Sequence, residues 1–367
     1  MRYLWACVIG VGVTSVLLWV LRPLATRIGL VDRPGKRKLH KGNVALIGGI
    51  AMFTALAFSV LTFDISLPAF RSFVAAATLL VVVGFVDDLW ELPSRIRFAV
   101  QITAALIMTL GGGVVVQDLG AITGNEIVTL GAWAIPFTVF ATVGVINALN
   151  MSDGIDGLAG GLSFIAFALL SYVAMASGRV ADASILVLLT CIVGTFLLFN
   201  LRSPWRSRAL VFMGDAGSMF LGFALAWFVI SLSQGENRAM TPVTALWILA
   251  LPLIDTVSIL LRRVLSGRSP FSGDRDHLHH ILLMAGCSVN KTNGVLLSAT
   301  LILGLAAVFA LYHRIAEHIM FYCFLGLGLA HLWGMMHLRN NWIKNREQTE
   351  PGISIQGSIV RGSESGD

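Results

Sequence analysis

Eleven apolar runs account for most of this sequence, at about 4–21, 45–63, 72–86, 97–115, 132–148, 160–177, 183–200, 216–233, 242–260, 294–312 and 318–338. A helix of about 17–25 such residues reaches across the hydrocarbon core of a bilayer. The chain is 56% hydrophobic and 13% charged, whereas a soluble domain carries roughly a quarter charged residues. The fold expected is therefore an all-α polytopic membrane protein with ten or eleven transmembrane helices. Soluble folds are set aside. The first run has only Arg2 ahead of it and runs into a basic loop, so it reads as a retained helix and not as a cleaved signal peptide.

Lysine and arginine set the orientation. Of 26 such residues, 21 fall in the segments after odd-numbered runs, and only Arg2, Arg71, Arg179, Arg238 and Arg314 fall on the other side. Short loops rich in Lys and Arg stay in the cytoplasm, which predicts an external N-terminus and a cytoplasmic C-terminus. The formal charge of +6 is thereby accounted for, and no nucleic-acid partner is expected. The segment 114–131 has two β-prone runs around glycine and asparagine, which suggests a short external hairpin. Residues 1–340 read as one transmembrane catalytic domain and 341–367 as a disordered polar tail. The four cysteines have no spacing that suggests zinc or a disulfide framework. No internal repeat of the kind used by many transporters is present.

Most of the remaining ionisable residues gather on the cytoplasmic side, the densest groups in loops. Asp87 and Asp88 end the third run. Adjacent carboxylates repel, and negative charge is disfavoured at a helix C-terminus. A divalent cation or a bound proton relieves both problems, although a solvated helix end is the plainer alternative. Asp153 and Asp156 follow Asn147 and Asn150 near the start of the sixth run and share a face if that turn is helical. One of the two acids can serve as an N-cap. Asp215 opens the eighth run just after Phe212, where a carboxylate on a rigid helix end suits magnesium.

His277, His279 and His280 are spaced so that one helical face cannot hold all three, which leaves a helical zinc site unsupported. They suit phosphate contacts instead, close to Arg268, Asp274, Arg275 and Asp276. The basic loop Arg33, Lys36, Arg37, Lys38, His40 and Lys41 serves either topology and anionic lipid or a substrate phosphate. Asp255, late in the ninth run, is expected to pair with Arg262 or Arg263. Acids for a divalent metal, basic and histidine loops for phosphate, and a hydrophobic body together fit phosphoryl transfer at a membrane surface.

These motifs carry a resemblance. Gly84 to Asp88, Asn147 to Gly157, Val211 to Ser218 and Asp276 to His280 are similar, in order, to the motifs of the polyprenyl-phosphate N-acetylhexosamine-1-phosphate transferase family, which includes the MraY, WecA and TagO types. The resemblance covers about residues 20 to 338. It implies transfer of a sugar 1-phosphate from a UDP-N-acetylhexosamine to undecaprenyl phosphate, with release of UMP and with Mg²⁺ as cofactor, Mn²⁺ being able to substitute. The His-Leu-His-His pattern resembles the WecA and TagO types more than the three consecutive histidines of MraY. That favours UDP-N-acetylglucosamine as donor and a role in starting O-antigen, enterobacterial common antigen or a related surface glycan.

Roles follow from the same resemblance. Asp87, Asp88, Asp153 and His279 are the expected catalytic residues, with Asp215 and Asp88 holding the metal. Asp156 and Phe212 are placed at uracil. Asn150, Asn200, Lys41, Arg268, His277 and His280 are placed at phosphate and sugar. The location implied is the bacterial inner membrane, with the site on its cytoplasmic face and lipid around the helices, and a homodimer is a further expectation. Two alternatives stand beside this reading. One is the same reaction with UDP-linked fucosamine, quinovosamine or N-acetylgalactosamine. The other is a transporter, which predicts acids near the bilayer midplane and not at helix ends.

Overall fold

The computed structural model describes residues 2–32, 43–61, 68–124, 126–203, 205–206, 208–267 and 277–349. Each of the eleven apolar runs holds a helix among its described residues. In chain order the elements are α1 (Arg2–Ile28), β1 (Val31–Asp32), β2 (Val44–Leu46), α2 (Gly48–Val60), α3 (Pro68–Trp90), α4 (Ser94–Leu106), α5 (Ala134–Ser152), α6 (Leu158–Ala176), α7 (Val180–Asn200), β3 (Val211–Phe212), α8 (Gly214–Ser233), α9 (Pro242–Ile248), α10 (Ala250–Leu265), α11 (Leu278–Met284), α12 (Val289–Tyr312) and α13 (Glu317–Thr349). Among the described residues eight helices are long and apolar enough to cross a membrane, and α9 with α10 makes a ninth if the bent pair is one span. The remaining two runs are the 13-residue α2 and α4, which is 13 residues long and continues as a π-helical turn over Ile107–Gly111.

The ninth run, expected as one straight helix, bends by 83°. Leu249 leaves helical geometry at φ −101 and ψ 18. Pro252, three residues on, has no N–H for the Ile248 carbonyl, and its ring crowds that carbonyl. The last helix runs to Thr349, past the end expected near 338, and 350–367 lie outside the described residues.

Helix α8 is the central post. It is apolar on every side, and 94% of its membrane window is buried inside the protein, as all-round hydrophobicity requires. By contrast only 6% of the α13 window is buried, so its apolar surface lies on the outside of the bundle. Helices α2, α3, α5 and α6 surround α8. Tight approach of α3 depends on Gly84, because a Cβ there would run into the backbone of Ala216. That contact lies one turn before Asp88 and brings the end of α3 against the start of α8.

Two small β features close the ends of the bundle. At the acidic end β1 pairs antiparallel with β2, and β2 pairs parallel with β3, with Ala45 opposite Val211 and Leu46 opposite Phe212. The sequence reading has no counterpart to this sheet, since two-residue strands leave no periodicity to read. At the other end the hairpin expected over 114–131 is a single antiparallel bridge, Asp118 to Thr129. Arg238 ties it down, lying 3.4 Å from Asp118 and 3.9 Å from Glu317.

Candidate active site

The site begins where α3 ends on α8. Asp88 accepts from the backbone amides of Asp215 at 2.8 Å and Ala216 at 3.3 Å. The first amides of a helix have no partner within it, so Asp88 caps α8 from another helix. Gly214 takes φ +72, and a Cβ there would come 2.5 Å from Asp88 Oδ2. Glycine therefore serves both the turn into α8 and the closeness of the carboxylate.

Asp87 points elsewhere. It is buried, and its Oδ1 accepts from the Leu92 amide at 2.6 Å while its Oδ2 accepts from Arg97 Nη1 at 3.2 Å. The same Nη1 lies 4.0 Å from Asp215 Oδ2. The Asp87 and Asp215 carboxyls are close enough to interact directly. Asp215 Oδ1 accepts from Asn150 Nδ2 at 2.6 Å, and that amide also donates to Ser218 Oγ at 2.8 Å. One layer below, Asn147 Nδ2 donates to the buried Gln101 Oε1 at 2.7 Å. One polar rung thus ties α5 to α8 and a second ties α5 to α4, beside a pair of facing acids.

Asp153 and Asp156 do not start a helix, because α6 begins only at Leu158. They sit in the turn from α5 to α6. Asp156 is buried, and its Oδ2 accepts from Arg202 Nε at 2.7 Å and from the Ala209 amide at 3.3 Å. The turn is fastened from two further sides. Asn200 Oδ1 accepts from the Gly157 amide at 2.8 Å while its Nδ2 donates to the Val211 carbonyl at 2.9 Å. Asn293 Nδ2 donates to the Asp156 carbonyl at 2.6 Å. Asn200 therefore locks this turn to β3, with both ends of its amide engaged.

The histidines cluster after all. His277 precedes α11 in extended conformation at φ −69 and ψ 151, so the one-face limit of a helix does not bind it. Its ring stacks on His279 at 5.6 Å, and His279 lies 4.2 Å from His280. His279 is buried, its Nε2 has no hydrogen-bond partner among the described residues, and a Cβ on Gly154 would collide with that atom. Burial, then His280 and His277, pushes its pKa down to about 2, so the ring is neutral at physiological pH. A buried polar atom without a partner is costly, and this one faces the acidic turn. Asp255 does not behave as expected beside Arg262 or Arg263. It accepts instead from His277 Nδ1 at 2.9 Å and from the Leu278 amide at 3.1 Å.

The structure thus brings together Asp87, Asp88, Asp215 and Asn150 in one group, and Asp153, Asp156, Asn200 and His279 beside it. Phe212 lies on β3 at the same end. Lys41 and Arg268 fall outside the described residues. Arg97, Arg202, Asn293 and Gln101 were not singled out from the sequence. In the sequence Arg97 and Arg202 are two among many loop arginines, and a buried Gln or Asn leaves no pattern of its own.

Among the described residues no group of three or more His, Cys, Asp or Glu side chains is arranged to hold a metal ion. Magnesium does not need one, since it keeps several waters and binds through one or two carboxylates and substrate phosphates. Asp215 fits that pattern, its side chain being 32% exposed with Asp87 facing it. Asp88 accepts one backbone amide on each oxygen, and each oxygen keeps a second lone pair for a metal ion.

Asp153 carries a pH consequence. Burial, then the carboxylates of Asp215, Asp156 and Asp32, raises its pKa to about 7 from 3.8. Across that interval the folded protein binds more protons than the unfolded chain, so this group's stabilising contribution is lost as pH rises from about 4 to about 7. Asp153→Asn is expected to flatten the fall of the thermal midpoint between pH 5 and pH 8 in metal-free buffer. An unchanged slope would remove Asp153 as its cause.

Residues 70–233 match glycosyl transferase family 4. Three relatives bear the name undecaprenyl-phosphate alpha-N-acetylglucosaminyl 1-phosphate transferase. That of Escherichia coli strain K12 is 36% identical over 313 residues, covering 85% of each chain. That of Yersinia pestis is 38% identical over 295 residues, covering 80% of each. That of Haemophilus influenzae is 37% identical over 322 residues, covering 87% of this chain and 90% of the relative.

Proposed function

Since the chain belongs to glycosyl transferase family 4, we propose that it transfers N-acetylglucosamine 1-phosphate from UDP-N-acetylglucosamine to undecaprenyl phosphate, releasing UMP. The observation that carries this reading is the group formed by Asp87, Asp215, Arg97 and Asn150 at one end of an apolar bundle. Charge is concentrated where a soluble nucleotide and a lipid phosphate can meet. The transporter alternative is disfavoured because these acids stand at helix ends.

Within this reading the cofactor is Mg²⁺, with Mn²⁺ able to substitute. Asp215 and Asp88 would hold it, with Asp87 facing Asp215, and when bound it neutralises charge on the diphosphate and the departing UMP. The lipid phosphate needs no strong base, because a phosphate monoester is largely ionised near neutrality. Arg97 balances the two carboxylates and stands ready for a phosphate oxygen. Asp88 fixes the height of α8, and hence the position of Asp215. The turn at 153–157 and His279 form the adjoining wall, where His279 Nε2 can hydrogen-bond a substrate oxygen. Phe212 and Asp156 are assigned to the uracil end, with Arg202 orienting Asp156. Lys41, Arg268, His277 and His280 complete the phosphate and sugar contacts.

The excess of Lys and Arg on the acidic end supports a site on the cytoplasmic face of the inner membrane, where nucleotide sugars are. A homodimer and a role in O-antigen or enterobacterial common antigen synthesis belong to the same reading. Purified protein with UDP-N-acetylglucosamine, undecaprenyl phosphate and Mg²⁺ is expected to release UMP, and EDTA is expected to stop it. Release from UDP-linked fucosamine, quinovosamine or N-acetylgalactosamine alone would transfer the reading to that donor. No UMP from any donor would end it.

A further inference from the structure

We propose that Asp255 is a positioning residue for the histidine cluster, holding His277 with its proton on Nδ1 so that Nε2 is the atom offered to substrate. Asp255 lies on α10 and is buried. Its Oδ2 is 2.9 Å from His277 Nδ1, and its Oδ1 accepts from the Leu278 amide at 3.1 Å. That amide opens α11 and has no partner within its own helix. One carboxylate therefore sets both the ring orientation of His277 and the start of the helix that carries His279 and His280.

A carboxylate oxygen can only accept, so the shared proton sits on Nδ1. Which ring nitrogen carries the proton is set by the bond that the other one makes. The position of the ring is transmitted further by stacking, since His277 and His279 lie nearly parallel, 16° apart at 5.6 Å. His279 in turn faces the turn at Gly154. On α13, His331 Nε2 lies 3.7 Å from Asp255 Oδ1 without a hydrogen bond, and His331 Nδ1 meets Ser258 Oγ at 3.1 Å. Sequence spacing cannot reveal this, because Asp255 and His277 are 22 residues apart across a loop.

The activity readout rests on the proposed sugar-phosphate transfer, whereas the tautomer readout does not. In full-length protein with ¹⁵N-labelled histidine rings, the His277 resonance, assigned by its loss in His277→Gln, is expected to show a protonated Nδ1. Asp255→Asn is expected to lose that signature. It is also expected to lower kcat about 10–100-fold, the range typical for a partner that orients an active imidazole, with KM for the nucleotide sugar changed less than about threefold. Adding Asp255→Asn to His277→Gln is expected to cost little more than His277→Gln alone, since the two act as one unit. A proton on Nε2 of His277 in the unmodified protein overturns the proposal, whether or not any variant folds. Multiplicative losses in the double variant overturn it as well. Inactivity of the unmodified protein with every UDP-sugar, with the Nδ1 signature intact, would instead count against the transferase reading.

Discussion

Asp215→Asn is expected to lose UMP release by about 10³-fold or more while the protein inserts, purifies and melts at the same temperature or higher. The two halves of that outcome have one cause. Asp215 stands opposite Asp87 with only a shared Arg97 between them, and facing carboxylates repel unless a cation or proton intervenes. Removing one charge relieves the folded protein. It also removes the group best placed to hold a divalent ion and steady the charge that develops on the diphosphate, an effect typically worth about 10²–10³-fold for a single electrostatic contact. UMP release and thermal unfolding on one preparation test both halves. Activity within tenfold of the unaltered protein would take Asp215 out of the metal site.

Asp88→Ala is expected to have the opposite stability signature. It leaves the amides of Asp215 and Ala216 without their acceptor, and losing such a cap costs about 0.5–2 kcal/mol. The start of α8 then moves, and Asp215 moves with it. A shift of about 1 Å at a catalytic group can cost roughly 10²-fold. Turnover and thermal midpoint should therefore fall together, whereas Asp215→Asn separates them. Asp88→Asn should fall between, because its amide oxygen can still accept from Asp215 N–H while its NH₂ faces the Ala216 N–H. Loss of turnover in Asp88→Ala with a midpoint equal to that of the unaltered protein would make metal ligation, and not capping, the main role of Asp88.

Much of this site was legible in the chain. Asp87, Asp88, Asp153, Asp156 and Asp215 stood out because each interrupts or borders an apolar run, and a charge there has to be accounted for. Their division of labour was not legible. Asp87 and Asp88 are adjacent in sequence, yet one faces Asp215 while the other caps a helix, because successive residues on α3 point about 100° apart. The histidines looked separable on helical spacing, but His277 lies just outside α11 and so joins the stack. Asp255 looked like a partner for arginines on its own helix and instead meets a histidine returning from the next loop. Arg97, Asn293 and Gln101 carried no signal, since a single polar residue becomes informative only when its partner is known.

The sequence by itself determined that this chain is a bundle of apolar helices in a membrane, which end of the bundle collects the charge, and which motifs resemble a family of sugar-phosphate transferases. Hydropathy, charge asymmetry and motif order are properties of consecutive residues, so they survive without coordinates. Only the tertiary structure decided which oxygen meets which partner. Asp88 reaches an amide 127 residues away, Asn293 reaches a carbonyl 137 residues away, and α3 reaches α8 because Gly84 leaves room for Ala216. Such pairings depend on how closely and at what angle distant helices pack, and that is set by side-chain volume in three dimensions.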